Sequence, residues 1–350
     1  MSKLNGKREQ ARSEGLKVNV AILGAGSIAN AMAETLNAMT HTREYGGLVN
    51  LYAVAARDAG RAAQFASRYG LPVSYGSYAE LLADPDVDLI YIATPHSLHA
   101  EQGLACIEAG KNILVEKAFT ANASQAQELL TAAERSGLLC TEAIWPRYMP
   151  SRAIIDDILE SGAIGEVKAA SANLGYPTHY KKRITDPNLA GGALLDVGVY
   201  TLNFVDMALS DRSQRHIDRI ETSMLPYETG VDAHDSITLY YDDGVMATNA
   251  ASMLAVSDRT GTVWGTDGYL IVQNVNNPES IDVFDKEHHM AKHYAVPRQL
   301  TGYEYEVAAA ANAVLDGETE CTQMPHADTL RIMELMDSIR GEWGLKYPFE

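Results

Sequence analysis

The chain has 350 residues and a formal net charge of −18, long enough for two domains, since single hydrophobic cores stop growing at about 250–300 residues. With no basic run beyond Lys181-Lys182-Arg183, the acidic balance excludes a nucleic-acid binder that works by neutralising phosphates. Cys106, Cys140 and Cys321 lack metal-type spacing and cannot all pair, which predicts a reduced, cytoplasmic setting. The polar residues 1–16 read as an N-terminal arm rather than a secretory leader. No run approaches the ~20 apolar residues of a membrane span, so no membrane partner is expected.

From Val18 the chain alternates short apolar strands with helical stretches. Strands are predicted at Val18–Leu23, Leu51–Ala55, Leu89–Ala93 and Ile113–Val115. Helices are predicted at Ile28–Met39, Arg61–Tyr69, Tyr78–Ala83, Leu98–Ala109 and Ser124–Arg135. This order implies a parallel sheet with helices on both faces. The pattern changes after Trp145-Pro146. A helix over Ser151–Glu160 and a strand over Glu166–Leu174 precede a long helix around Ala193–Ala208. Consecutive strands then run from Ile217 to Ala295, with hairpin signals at Asp243-Gly244 and Asp267-Gly268. Helices return at Tyr303–Leu315 and Ala327–Arg340. The expected organisation is an α/β domain over residues 17–142 followed, over 143–350, by an α+β domain with an open, mostly antiparallel sheet.

Gly24-Ala25-Gly26-Ser27-Ile28-Ala29 joins the first strand to the first helix in the pattern G-x-G-x-x-A. The first glycine allows the tight turn and the second lets the backbone approach a pyrophosphate. Ala29 allows close helix packing, and the helix N-terminus at Ser27 and Ile28 faces the phosphates. In a strand–turn–helix context this is a Rossmann dinucleotide site. The second strand ends Ala56-Arg57-Asp58. A carboxylate at the strand end selects the ribose 2′-hydroxyl of NAD, whereas a guanidinium accepts the 2′-phosphate of NADP. Arg57, with Arg61 as a second cation, therefore points to NADP over NAD, although a strand one residue longer would restore an acid at Asp58.

Several stretches resemble the Gfo/Idh/MocA oxidoreductases, and within them the dimeric dihydrodiol dehydrogenase group. They are 53–58, Tyr75-Gly76-Ser77-Tyr78, 88–96, Glu142-Ala143-Ile144-Trp145, 191–200 and Val231-Asp232-Ala233-His234-Asp235. The resemblance implies hydride transfer at a sugar-like or cyclic diol carbon and a homodimer formed through the second domain's sheet. It implies cofactor contacts at Thr94, Pro95, His99 and Glu116, and substrate contact at His96. His96 and His99 also have H-x-x-H spacing, but no third ligand accompanies them and no metal is expected. The usual Glu-Lys-Pro is here Glu116-Lys117-Ala118, which leaves the shape of that loop open.

Lys117 sits at the carboxyl end of a parallel strand, where open α/β sheets place ligands, and its ammonium suits a developing alkoxide. Asp196 and Tyr200 stand four residues apart and share a face of the predicted helix. The resemblance makes Tyr200 the general acid in reduction and base in oxidation. A phenol titrating near ~10 needs a neighbouring lysine to work at neutral pH. Asp196 is assigned to orient Lys117 or the substrate hydroxyl. Trp145 reads equally as a substrate wall or as domain-interface packing, and Tyr176 and His179, in a loop preceding Asp196, are expected to reach the cleft and contact the substrate. The expected activity is NADP-dependent oxidoreduction of an aldose, a dicarbonyl or a cyclic diol. The alternative is a regulatory NADP-binding sensor that turns nothing over.

Overall fold

The computed structural model describes Gly15, Lys17–Ser213 and Arg215–Glu350. Apart from Gly15, the expected arm over residues 1–16 lies outside the described residues. The chain divides into two compact units. One comprises residues up to Ile144 together with Gln299–Leu330, and the other comprises Trp145–Arg298 together with Arg331–Glu350. This corrects the expected two consecutive domains, because a C-terminal segment returns to the first unit.

The first unit is built on six parallel strands, β1 (Val18–Leu23), β2 (Val49–Ala55), β3 (Val73–Tyr75), β4 (Leu89–Ile92), β5 (Asn112–Glu116) and β6 (Cys140–Ala143), in the order β3-β2-β1-β4-β5-β6. β4 and β5 are buried throughout, as strands covered on both faces must be. Their helices are α1 (Ser27–Thr40), α2 (Ala59–Tyr69), α3 (Tyr78–Ala83), α4 (His99–Glu108) and α5 (Ala123–Ser136). The strand order reverses between β1 and β4, the switch point at which such sheets bind ligands beyond their carboxyl ends. Helix α9 (Glu304–Asp316), expected in the second domain, packs on α1, β1 and β5. Its apolar side supplies Val307, Ala310, Ala311 and Val314.

The second unit contains α6 (Pro150–Glu160), β7 (Val167–Gly175), the one-turn α7 (Lys182–Thr185), α8 (Val199–Ser213), seven further strands and α10 (His326–Trp343), whose first residues belong to the first unit. The strands are β8 (Ile217–Pro226), β9 (Asp232–Tyr241), β10 (Met246–Ser252), β11 (Gly261–Gly265), β12 (Gly268–Gln273), β13 (Ser280–Asp285) and β14 (Met290–Ala295). With β7 they form one open sheet, β14-β13-β12-β11-β7-β10-β9-β8. All neighbours are antiparallel except β7 and β10. Both expected turns join antiparallel neighbours, β9–β10 and β11–β12. Helix α8 packs on β7, β10 and β11. Against the expectation of no membrane-length apolar run, Pro187–Leu209 is long and apolar enough by composition to cross a bilayer, and it is 94% buried within the protein. Such a stretch reads as a core helix that is apolar all round.

One buried ion network braces this unit. The Asp206 carboxylate accepts hydrogen bonds from Arg147 (2.5 Å) and from both Arg331 Nε and Nη2 (2.9 and 2.7 Å). Arg147 also donates to Asn203 Oδ1 at 2.6 Å and has a side chain fully withdrawn from solvent.

Candidate active site

In the first unit the glycine turn stands at the switch point. Gly24 has φ +109°, and a Cβ there would lie 2.9 Å from the Ala93 carbonyl oxygen; no other residue type satisfies both conditions. Gly26 is the N-cap of α1, makes no side-chain cap, and no acidic residue occupies the first helical turn. The amide groups at Ser27 and Ile28 therefore keep their dipole for an anion, so the residues present fit a dinucleotide pyrophosphate.

The end of β2 resolves the position of the acid. β2 stops at Ala55, and Asp58 caps α2 by accepting the Arg61 backbone N–H at 2.7 Å. A carboxylate used in this way stabilises the helix by about 1 kcal/mol and faces the helix start rather than a ribose. Arg57 is exposed, and Arg61 Nη2 donates to the Ala25 carbonyl at 2.7 Å, across the glycine turn. Both guanidinium charges act on the Tyr78 phenol, which burial lifts above its ordinary pKa while they pull it down. Arg57, Arg61 and Tyr78 thus gather from three elements at one edge of the turn. Tyr78 carried no sequence signal for this role.

Three expected site residues point inward. His99 is fully buried. Its Nε2 faces the Thr94 carbonyl at 2.8 Å, and Nδ1 faces the carbonyls of Ala118 and Phe119 at 3.0 and 3.2 Å. Burial pushes this imidazole below its usual pKa, against the pull of those carbonyls. The ring ties the loop after β4 to the loop after β5, and presents no free nitrogen to a cofactor as the sequence reading expected. The Glu116 carboxylate, also expected at the cofactor, is buried, accepting the Tyr91 hydroxyl and, at 3.2 Å, the Lys117 N–H. His96, expected at the substrate, is 5% exposed with its ring edge-on to His99 at 5.8 Å. Thr94 and Pro95 flank the switch point on the β4 side, with the Thr94 hydroxyl donating to Gln102 at 2.6 Å. Lys117 directly follows β5, and the Lys117–Ala118 peptide is cis although no proline is present. Among the described residues no group of His, Cys, Asp or Glu is placed to hold a metal.

In the second unit the predicted regular helix is interrupted. Leu194–Gly198 forms a π-helical turn before α8 begins at Val199. Asp196 lies within this widened turn and Tyr200 in the first turn of α8. π-bulges of this kind cluster at functional sites because they redirect side chains. Asp196 is buried and accepts a hydrogen bond from Arg183 Nη1 at 2.7 Å. Arg183 was not expected; its only sequence signal is membership of the short basic run.

Beneath the turn lies a second unexpected pair. Asp232 Oδ2 accepts the Leu194 N–H at 2.5 Å, and a Cβ on Gly192 (φ +127°) would strike Asp232 Oδ1. Burial, and then the neighbouring Asp232 charge, pushes Asp235 well above the carboxylate range. Two buried carboxyls so close share a proton rather than both ionising, and Asp232 fixes the start of the Asp196 turn. Tyr176 donates to Asn276 Oδ1 at 3.0 Å, and His179 is exposed beside Tyr180. Trp145 is buried at the first residue of this unit.

A β3-β2-β1-β4-β5-β6 sheet with a ligandable glycine turn at its reversal, continued in the same chain by an open, mostly antiparallel sheet, defines a two-domain NAD(P)-binding oxidoreductase. Residues 18–144 match the profile described as "Oxidoreductase family, NAD-binding Rossmann fold", and residues 153–271 match the "GFO/IDH/MocA C-terminal domain". Trans-1,2-dihydrobenzene-1,2-diol dehydrogenase of Xenopus tropicalis is 33% identical over 335 residues, covering 93% of this chain and 98% of that protein. The Mus musculus enzyme of the same name is 32% identical, covering 93% and 97%. A 3-ketoreductase from Actinomadura kijaniata, solved with NADP and TDP-benzene, has a TM-score of 0.79 at 27% identity, covering 93% of this chain and 97% of its own. Levoglucosan dehydrogenase, solved with NADH and levoglucosan, shares the fold with a TM-score of 0.83 at 18% identity, covering 95% and 100%. The chain belongs to the Gfo/Idh/MocA oxidoreductase family.

Proposed function

We propose that this protein is an NADP-preferring dehydrogenase or reductase acting on a hydroxyl or carbonyl carbon of a sugar, dicarbonyl or cyclic diol. The observation that carries the cofactor preference is the end of β2. Asp58 is consumed as a helix cap while Arg57 is exposed and Arg61 reaches over the glycine turn. A 2′-phosphate would meet two guanidinium groups there, with the Asp58 carboxylate engaged at the Arg61 N–H. The relatives named as a dihydrodiol dehydrogenase and a 3-ketoreductase support a substrate with neighbouring oxygens on a small ring or chain.

When bound, the nicotinamide exchanges hydride with the reacting carbon. The chain's residues handle the other atoms. In reduction the Tyr200 hydroxyl gives its proton to the carbonyl oxygen as that oxygen gains charge, and the Lys117 ammonium stabilises the charge. In oxidation Tyr200 accepts the proton and solvent later takes it. Asp196, held by Arg183, orients Lys117 or the substrate hydroxyl. The test is NADPH absorbance in both directions over a panel of aldoses, dicarbonyls and diols, repeated with NADH. Turnover of none of them, or a preference for NADH, removes the corresponding part of this reading.

The same reading includes a homodimer through the second unit's sheet. Met246, Ala169 and Trp264 lie side by side in register across β10, β7 and β11, continuing through Tyr269 to Phe284, which stack at 4.9 Å. Met246 and Trp264 are 39% and 40% exposed, and an apolar row on one sheet face suits a matching face.

A further inference from the structure

Three buried carboxyls from three elements converge beneath the loop that carries Lys117. Glu116 ends β5, Glu142 lies in β6 and Glu306 in the first turns of α9. Two of them hold the loop by its backbone, Glu116 Oε2 accepting the Lys117 N–H at 3.2 Å and Glu142 Oε1 the Phe119 N–H at 3.1 Å. Glu306 is different. It is wholly buried, and neither of its carboxyl oxygens receives a hydrogen bond from the protein. The charges acting on it are those of Glu116, Glu142 and Glu304, all negative. Glu304 is itself committed to the N–H groups of Leu300, Thr301 and Gly302.

Among the described residues, the other elements packed on α9 bring no compensating cation to Glu306. β1 carries no titratable side chain, and the one on α1, Glu34, accepts the Tyr69 hydroxyl. β4 contributes Tyr91, whose hydroxyl goes to Glu116. An ionised carboxylate in this position would lack every compensation that a buried charge requires.

We propose that Glu306 is a positioning residue, held as the neutral acid, whose O–H donates to the Glu116–Glu142 carboxylates and so fixes the cis loop that presents Lys117. The neutral acid turns three mutually repelling carboxyls into a hydrogen-bonded set. Loss of that proton would leave the two carboxylates that grip Lys117 and Phe119 facing a third charge. That Lys117 acts in turnover belongs to the proposed function; the protonation of Glu306 does not depend on it.

The experiment uses the full chain and two variants. Glu306→Gln keeps a donor that cannot ionise, and Glu306→Leu removes the donor. In infrared spectra at neutral pH, wild type should show, beside the band of the Asp232–Asp235 pair, a second protonated-carboxyl C=O band that Glu306→Gln lacks. Its presence unchanged in the variant would overturn the proposal. Burial raises the Glu306 pKa in the fold, so the native state binds more protons than the unfolded chain as pH rises above the ordinary glutamate value of ~4.3. Stability therefore falls with pH in that window, and the fall should be shallower in Glu306→Gln; identical slopes would overturn the proposal. Glu306→Leu should lower kcat about tenfold, the effect of one charge-assisted hydrogen bond, with NADPH affinity by fluorescence retained and Glu306→Gln restoring kcat. If leucine and glutamine are equally active, Glu306 does not position the loop. A fully active Lys117→Met would instead refute the catalytic role of the lysine, and would leave the infrared and pH results standing.

Discussion

Replacing Arg57 with alanine removes one of the two guanidinium groups beside the glycine turn and touches no core contact, since the side chain is exposed. A hydrogen bond to a charged group contributes about 1.5–3 kcal/mol. Solvent screening at an exposed site places this one near the lower end. Arg61 remains, anchored at 2.7 Å to the Ala25 carbonyl, so the phosphate keeps part of its support. The expected loss is about 1.5 kcal/mol, or about tenfold in kcat/KM for NADPH. NADH lacks the phosphate, and its kcat/KM should stay unchanged. Arg57→Glu should act in the same direction and go further, because a carboxylate repels the phosphate. The assay is kcat/KM for both cofactors at two ionic strengths, with the NADPH advantage shrinking as salt rises. An Arg57→Ala enzyme with its cofactor ratio intact would refute the reasoning, because the remaining feature of the β2 end is a cap rather than a selector.

Tyr200→Phe should lower kcat by about 10²–10⁴-fold, the range for a general acid–base group, with NADPH affinity by fluorescence titration unchanged; ordinary turnover removes the tyrosine from the chemistry. Gly24→Ala should abolish NADPH binding in the same titration, because the new methyl would lie 2.9 Å from the Ala93 carbonyl at a φ of +109°. Asp206→Ala leaves Arg147 buried without its carboxylate, and urea unfolding should show a loss of about 3–5 kcal/mol. Trp264→Glu should convert a dimer to a monomer in light scattering with activity per chain retained; a wild-type monomer would refute the role of the sheet face.

The first unit was the more legible half because its strands obey a strong local rule. Val18–Leu23 is continuously apolar and ends in glycines, and it forms β1 with those bounds. β3 went unread because it spans three residues, too short for a periodic pattern to accumulate, and β6 because Cys-Thr-Glu-Ala lacks the apolar run that marks the equally short β4. The cofactor edge was readable down to an ambiguity of one residue. The structure fixes the strand end alone, with β2 stopping at Ala55 and Asp58 capping the next helix. The Asp196–Tyr200 spacing was visible, but the π turn was not, because nothing in Leu-Leu-Asp-Val-Gly encodes an extra residue per turn. Long-range partners were the least legible. Arg183 with Asp196, and Glu306 with Glu116 and Glu142, are brought together by charge and burial, which no local spacing records.

The return of Gln299–Leu330 to the first unit bears on how the protein can be dissected. The stretch with the nucleotide-binding signature ends at Ile144, yet the body it belongs to is completed more than a hundred residues later. There α9 covers β1 and β5, and the Thr319 carbonyl accepts the Cys140 N–H at 3.0 Å. A fragment cut at Ile144 would expose the apolar side of its own sheet to water and leave the partners of Glu306 uncovered. The halves are interleaved in sequence, so a stable nucleotide-binding piece would have to be made by splicing residues 299–330 onto the end of β6 rather than by truncation.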